Sequence, residues 1–368
     1  MKIRANSSRK VTIMNMNPFK LLLLTVFFVA GSELSQADIT AERADAVRLQ
    51  IYLDSQNFGP GYIDGRPGRF TQLAVETYNR SKGRPAEDMA SVQTEALAAV
   101  KQAFTAAVVP PIVSKFVDSS LPTARSEQAK RKSMPYRSVG EFMAERYHTS
   151  IEFLELLNGK SRLYQALEGT TLLVPNVTPF KIEEMSVGRG HKEDPAFANR
   201  RISIDTSINQ IRFYATPKLV TPNTDPENTQ PAPPKALIVQ DGDLKSDGIA
   251  EIDSELIAAF PITPGQEKFI RYGLWEVKNL IEMPVWRFDD SLLKTGKRSN
   301  VALNIPGGPN NPVGVVWMGL NRPGIGVHGT SSPETIGRSR SAGCVRMANW
   351  DAVRLPTLAR PGVKVWLK

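Results

Sequence analysis

Apolar positions along this chain change rhythm several times. An apolar run, Leu21 to Gly31, comes first. From 40 to 85, Val47, Leu49, Ile51 and Leu53, then Phe58, Ile63, Phe70, Leu73, Val75 and Tyr78, mark two amphipathic helices. The stretch between them, Phe58 to Gly68, is too rich in glycine and proline to continue a helix, and Thr71 is placed to cap the second one. Residues 86–134 read as helical and then loose, with Val108-Val109-Pro110-Pro111 and a solvated basic linker, Lys130-Arg131-Lys132. A small unit follows over 135–178, where Val139, Phe142, Met143, Tyr147, Phe153, Leu154 and Leu157 predict two short helices and Leu172 to Pro175 a closing strand. From 198 to 368 the rhythm turns to period two. Arg201 to Tyr214 alternates around the polar turn Ser207-Ile208-Asn209 as a hairpin should, and 216–235 is a proline-rich exposed loop. Strand-like runs resume at Leu237 to Val239, Ile257 to Ile262, Gly273 to Val277, Val313 to Leu320 and Val363 to Leu367. The expectation is a multidomain chain, helical in front and mainly β behind.

The first 37 residues read as an address. Lys2, Arg4, Arg9, Lys10 and Lys20 precede the apolar run, and Ser35-Gln36-Ala37 offers the small residues a signal peptidase needs. The run is too short to span a bilayer, so a cleaved secretory signal over 1–37 is expected, with an uncleaved anchor as the alternative. That places the chain outside the cytoplasm, in a periplasm or cell wall. About 330 residues then remain, more than one core usually holds. The formal charge of +9 falls to +5 without the leader, a mild attraction to an anionic surface or polymer. No basic stripe interleaved with aromatics stands out, so nucleic acid is not an expected partner.

Cysteine usage narrows the chemistry. Cys344 is the sole cysteine, so no intramolecular disulfide can form, and with His148, His191 and His328 dispersed a four-ligand zinc site is out of reach. No nucleotide or haem fingerprint occurs, and Asp241-Gly242-Asp243 with Asp247-Gly248 reads as two tight turns because Lys245 and Ser246 break a calcium loop. No cofactor and no metal are therefore expected. A lone cysteine serves either as a small buried hydrophobe or as a nucleophile. His328, sixteen residues before Cys344, is the candidate base, and an imidazole with exposed amides is expected to lower the thiol pKa. Gly343 allows close backbone approach, so that amides at Gly343 and Cys344 can face an oxyanion. Arg346 is a candidate anchor for a substrate carboxylate, and Ser341 a turn-fixing hydroxyl. Tyr272, Trp317 and Met318 are candidates to line the cleft, with core packing as the commoner role for each.

Three resemblances gather these residues. Leu49-Gln50, Ile63-Asp64-Gly65, Gly68 and Thr71 resemble the small three-helix peptidoglycan-binding domain over 40–85. Tyr147-His148-Thr149-Ser150, Leu157-Asn158, Gly169 and Leu172-Leu173-Val174-Pro175 resemble a LysM carbohydrate-binding module over 135–178, which makes His148 a surface or packing residue. Phe260 to Gly265, Tyr272 to Trp275, Pro309 to Met318, Ile325 to Thr330, Ile336-Gly337 and Ser341-Ala342-Gly343-Cys344-Val345-Arg346-Met347 resemble the L,D-transpeptidase catalytic domain of the YkuD family. Ala342 stands where many members carry histidine.

That last resemblance implies a β-sandwich-like catalytic domain over 198–368. Cys344 and His328 would lie on neighbouring segments over a cleft, the ring oriented by the Gly329 carbonyl and not by a carboxylate. It further implies a cysteine transpeptidase that forms a thioester with tetrapeptide stems of peptidoglycan. The acceptor would be a second stem, giving a 3-3 cross-link, or the lysine of an outer-membrane lipoprotein. With water as acceptor the same site is a carboxypeptidase or endopeptidase, and a non-catalytic wall-binding protein is the other alternative. Peptidoglycan peptide and glycan are the implied partners; the oligomeric state stays open.

Overall fold

The computed structural model describes residues 39–216, 254–295, 297–322, 324–340 and 343–368. The expected signal segment, most of the proline-rich loop, Leu237 to Val239, the aspartate-glycine turns and Ser341 lie outside them. Residues 36–368 form one compact unit.

The front is a three-helix bundle: α1 (Ala41–Ser55), α2 (Arg69–Ser81) and α3 (Met89–Ala99). Leu49, Leu53, Ala74, Val75, Tyr78, Val92 and Ala96 share its core, so the bundle extends past residue 85 and takes in α3. Buried Gln50 organises the turn between α1 and α2: its Oε1 accepts from the backbone amides of Asp64 (3.0 Å) and Gly65 (2.8 Å), and its Nε2 donates to the Thr71 hydroxyl (3.2 Å). Thr71 is therefore not the cap. It lies inside α2, and Gly68 holds the N-cap position without a side-chain bond. Thr40 does cap α1, accepting from the Arg43 amide at 3.2 Å.

Next comes β1 (Phe104–Val108), followed by the short helices α4 (Val113–Phe116) and α5 (Arg125–Gln128), then α6 (Val139–Arg146), α7 (Ile151–Asn158), α8 (Lys160–Tyr164) and β2 (Thr171–Pro175). Ser138 and Ser150 cap α6 and α7 by accepting from the amides of Glu141 (3.0 Å) and Phe153 (3.1 Å). Strand β2 pairs antiparallel with β1, Phe104 opposite Pro175. Residues 86–134 supply a third helix to the first unit and the partner strand of the second.

The remaining strands are β3 (Gly190–His191), β4 (Arg200–Asp205), β5 (Gln210–Ala215), β6 (Glu255–Pro261), β7 (Gly273–Glu282), β8 (Trp286–Phe288), β9 (Leu303–Ile305), β10 (Val316–Leu320), β11 (Gly326–His328), β12 (Val345–Arg346) and β13 (Lys364–Leu367). The helices between them are α9 (Asp290–Thr295), α10 (Asn349–Ala352) and α11 (Leu355–Leu358). Strands β8 and β9 form a separate hairpin, and the rest make one mixed sheet in the order β12-β11-β10-β7-β13-β4-β5-β6, with β3 also on β7. Register shifts at Gly319/Leu320 and Phe213/Tyr214 add local twist to that sheet.

Front and sheet are not beads on a string. The amide of Gly59 donates to Ala259 O at 2.8 Å, and that of Ala259 to Asn57 O at 2.9 Å. Gln210 Nε2 donates to the Thr77 hydroxyl at 3.0 Å. Arg354 pairs with Asp54 at 2.7 Å, and Asp54 also meets His148, whose ring stacks on Trp350. His148 is buried among these groups, so of its two expected roles packing holds and surface exposure does not.

Candidate active site

Strand β12 is only two residues long, yet it is held on both edges. Its parallel pairing with β11 sets Val345 against Val327 and Arg346 against His328, which leaves Cys344 one step outside, level with Gly326. On its other edge Arg346 and Thr263 exchange backbone hydrogen bonds at 2.9 Å in both directions. Just before the cysteine, Gly343 adopts φ +119°, a conformation that side chains resist. Its backbone runs so close to Gly265 that a Cβ on Gly265 would sit 2.5 Å from the Gly343 Cα. Two glycines thus let the Cys344 loop cross the Thr263–Gly265 segment.

His328 is buried, with its ring stacked on Trp317 at a centroid distance of 5.5 Å. Nδ1 lies 2.6 Å from the Gly329 carbonyl. A carbonyl only accepts, so Nδ1 carries the proton and Nε2 keeps its lone pair. Burial, aided by the Arg346 charge, pulls the imidazole down to about 4 against the Gly329 bond, so the ring is neutral at pH 7. The thiol of Cys344 donates to Gly324 O at 3.4 Å. Burial pushes it up to about 11, against the pull of the Gly326 amide and Arg346. Arg346 is half-buried, and among the described residues its guanidinium makes no hydrogen bond, ion pair or ring contact.

What holds the His328 turn in place is Asn349, wholly buried on α10. Its Oδ1 accepts from the amides of Val315 (3.1 Å) and Thr330 (3.2 Å), and its Nδ2 donates to Glu145 Oε1 at 2.7 Å. The packing is tight enough that a Cβ on Gly329 would meet Asn349 Oδ1 at 2.1 Å. Glu145 belongs to α6, so a helix of the front reaches the turn that bears the imidazole. Desolvation raises the Glu145 carboxyl to about 8, and a protonated acid can sit there without a counter-charge.

Residues 243–367, about a third of the chain, match the family model of the YkuD L,D-transpeptidase catalytic domain. They form a YkuD-family L,D-transpeptidase catalytic domain. Over 74 residues the chain is 35% identical to YkuD of Bacillus licheniformis, covering 20% of this chain and 45% of the relative. Over 68 residues it is 40% identical to YqjB of Bacillus subtilis, covering 17% and 39%. Both relatives are provisionally named L,D-transpeptidases, and the chain spans less than half the length of either. Among solved structures, L,D-transpeptidase 3 from Mycobacterium tuberculosis with a faropenem-derived adduct aligns at 13% identity and TM-score 0.29, covering 55% of this chain and 76% of that one. The catalytic domain of the Enterococcus faecium enzyme acylated by ertapenem aligns at 15% and 0.28, covering 46% and 97%.

Within the transpeptidase domain, Cys344, His328, Gly329, Gly343 and Arg346 converge on the β11–β12 pair, and Trp317 joins them through its stack on His328. Met318 does not: it is fully buried, on the face of β10 opposite Trp317, and has no open side toward a substrate. Tyr272 is half-exposed with its hydroxyl 3.4 Å from Thr206, beside the C-terminal strand. The thiol also departs from expectation in sign, because desolvation outweighs the amide and the guanidinium. Asn349, Glu145 and Gly265 were not singled out from the sequence. Asn349 stands three residues past Arg346 and Gly265 ends a quoted motif, but nothing in the local sequence of α6 points Glu145 toward a histidine 183 positions away.

Proposed function

We propose that this chain is an exported cysteine L,D-transpeptidase acting on peptidoglycan tetrapeptide stems. The observation that carries the reading is the neutral His328, tied through Nδ1 to Gly329 and one strand away from the only thiol. In the resting state thiol and imidazole are both uncharged. As Sγ attacks the carbonyl at the L-centre of the stem, His328 Nε2 takes the thiol proton; it then gives that proton to the departing amine of D-alanine, leaving a thioester. An amine acceptor attacks the thioester, loses its proton to Nε2, and the proton returns to Sγ as the new amide forms. Amides of Gly343 and Cys344 receive the tetrahedral oxyanion. The Arg346 guanidinium, without a hydrogen-bond or ion-pair partner among the described residues, takes a stem carboxylate, with Trp317 holding the imidazole from one side.

The acceptor is a second stem, or a lysine of an envelope protein such as an outer-membrane lipoprotein; water in its place gives hydrolysis. The leader over 1–37 supplies the route to the periplasm or wall, and the front units, resembling peptidoglycan-binding and LysM modules, supply glycan or stem contacts. Mature protein and Cys344→Ala, each incubated with tetrapeptide muropeptides and read by mass spectrometry, test this. A Cys344-dependent dimer lacking one D-alanine is the expected product; an unchanged substrate pool would sink the transpeptidase reading.

A further inference from the structure

The loop that leads from His328 toward Cys344 meets a side chain from the front of the chain. Phe70, in the first turn of α2, aims its ring at Gly337: a Cβ on Gly337 would lie 2.2 Å from Phe70 Cζ and 2.7 Å from Cε2. Gly337 has φ +73°, so glycine is required there twice, by its backbone and by the ring lying against it. The ring is itself backed by the turn before α2, where a Cβ on Gly61 would sit 3.6 Å from Phe70 Cβ. Tyr62 of the same turn shares a cavity wall with Ser331, Pro333 and Glu334. Two aromatic side chains of the front are therefore set beside residues 331–337.

The same loop is held by Thr263, which is wholly buried. Its hydroxyl donates to Thr335 O at 3.1 Å and accepts from the Gly337 amide at 2.8 Å. Its backbone exchanges hydrogen bonds with Arg346, two residues past the thiol. Gly337 is thus a shared point, where Phe70 packs on the Cα and Thr263 takes the amide. The two holders are tied to each other as well: the Gly59 amide, just before the turn that backs Phe70, donates at 2.8 Å to Ala259 O, four residues before Thr263. Such a strut matters to a nucleophile and its base, since a misplacement of about 1 Å can cost on the order of a hundredfold in rate.

We propose that Phe70 is a positioning residue for the Cys344–His328 pair, so that the helical front is a built part of the site and not a detachable module. As a statement about turnover this rests on the transpeptidase reading; as a statement about the placement of the thiol it stands without it.

Full-length Phe70→Ala, Phe70→Met and Val75→Ala provide the test. Each is read by the rate of Cys344 alkylation with iodoacetamide at pH 8, and by kcat and KM on tetrapeptide muropeptides. Val75 is buried in the front's own core with Leu49, Leu53 and Tyr78, so its truncation reports lost front stability alone. Phe70→Ala frees the loop and lets water reach the thiol, and should speed alkylation about threefold or more. It should lower kcat about fivefold or more with KM within about twofold, because Phe70 acts on the reacting pair and not on bound substrate. Phe70→Met, whose unbranched side chain refills the space, should bring both readouts to within about twofold of the parent. Val75→Ala should lower the melting temperature and leave both readouts at parent values. Gly337→Ala should cost less kcat in the Phe70→Ala background than alone, because the ring that its Cβ strikes is gone. Unchanged alkylation in Phe70→Ala, equal changes in Val75→Ala, or additive effects of the Gly337 and Phe70 exchanges would overturn the proposal. Faster alkylation of Phe70→Ala, where the parent chain makes no cross-link, would remove the transpeptidase reading and keep the strut. Cross-linking by the parent with an unaltered kcat in Phe70→Ala would remove the positioning role and keep the transpeptidase.

Discussion

A thiol at about 11 beside an imidazole at about 4 is not a preformed thiolate–imidazolium pair. With the ordinary thiol near 9, Cys344 carries about a hundredfold less thiolate at neutral pH than a free cysteine would. Iodoacetamide should therefore label Cys344 slowly at pH 7, with a rate that keeps climbing past pH 9. A plateau near pH 8, read by mass spectrometry of the alkylated protein, would mean that the thiol is activated before substrate arrives. In the proposed mechanism slow labelling does not mark an idle cysteine, because there the proton leaves only as the carbonyl is attacked. Arg346 gives a second test at this scale. Among the described residues its guanidinium has no hydrogen-bond or ion-pair partner, so Arg346→Lys keeps the fold and loses forked recognition of a carboxylate. Stem-peptide kcat/KM should fall about tenfold or more, carried mainly by KM, with the melting temperature unmoved; unaltered kinetics would take Arg346 out of substrate binding.

At the scale of elements, what could be read ahead depended on length and locality. The β4–β5 hairpin was legible because six alternating residues on each side of a polar turn announce it, and Asn209 takes φ +58° there as turn asparagines do. Strands β11 and β12, three and two residues long, contain less than two periods of alternation and were legible only as motif residues. Strand β1 falls in the stretch read as helical and then loose, since pairing of distant segments leaves no mark on local sequence. The Gly329 carbonyl was named from the resemblance, but the clamp behind it was not, since Glu145 approaches Asn349 through a helix–turn contact between units. That clamp predicts different outcomes for two substitutions. Glu145→Gln keeps an acceptor for Asn349 Nδ2 and should retain most activity, whereas Glu145→Leu strands that donor, at a cost of about 1–3 kcal/mol, and should lower kcat several-fold with KM little changed. Equal kcat in the two variants, measured on stem peptides, would leave Glu145 as packing and not as a positioning residue.

Over the whole molecule, the front units and the sheet share buried polar groups, and these tie stability to pH with a definite sign. Glu145 and Asp351 are both raised to about 8 by desolvation, Asp351 further by Asp54 and against the pull of Arg354. Each is protonated in the folded chain and ionised in the unfolded chain between its ordinary value near 4 and about 8. The folded state binds the extra protons, so stability is full below about pH 4 for these two groups and falls as pH rises toward 8. His328 works in the opposite sense. Its pKa is depressed to about 4, so its contribution is present above 6.5 and is lost as pH drops through 4. Between pH 8 and 6.5 the two acids act without that opposition, each with a slope of up to about 1.4 kcal/mol per pH unit. The melting temperature should therefore rise as pH is lowered from 8 to 6.5, then keep rising with about half that slope as His328 begins to cancel one acid. Glu145→Gln with Asp351→Asn should flatten the profile over 6.5–8 and turn the rise below pH 6.5 into a fall, because His328 is then left unopposed. If the double variant kept the full slope in a calorimetric scan, the buried acids joining front and sheet would be ionised in the native chain, and the neutral clamp behind His328 would be wrong.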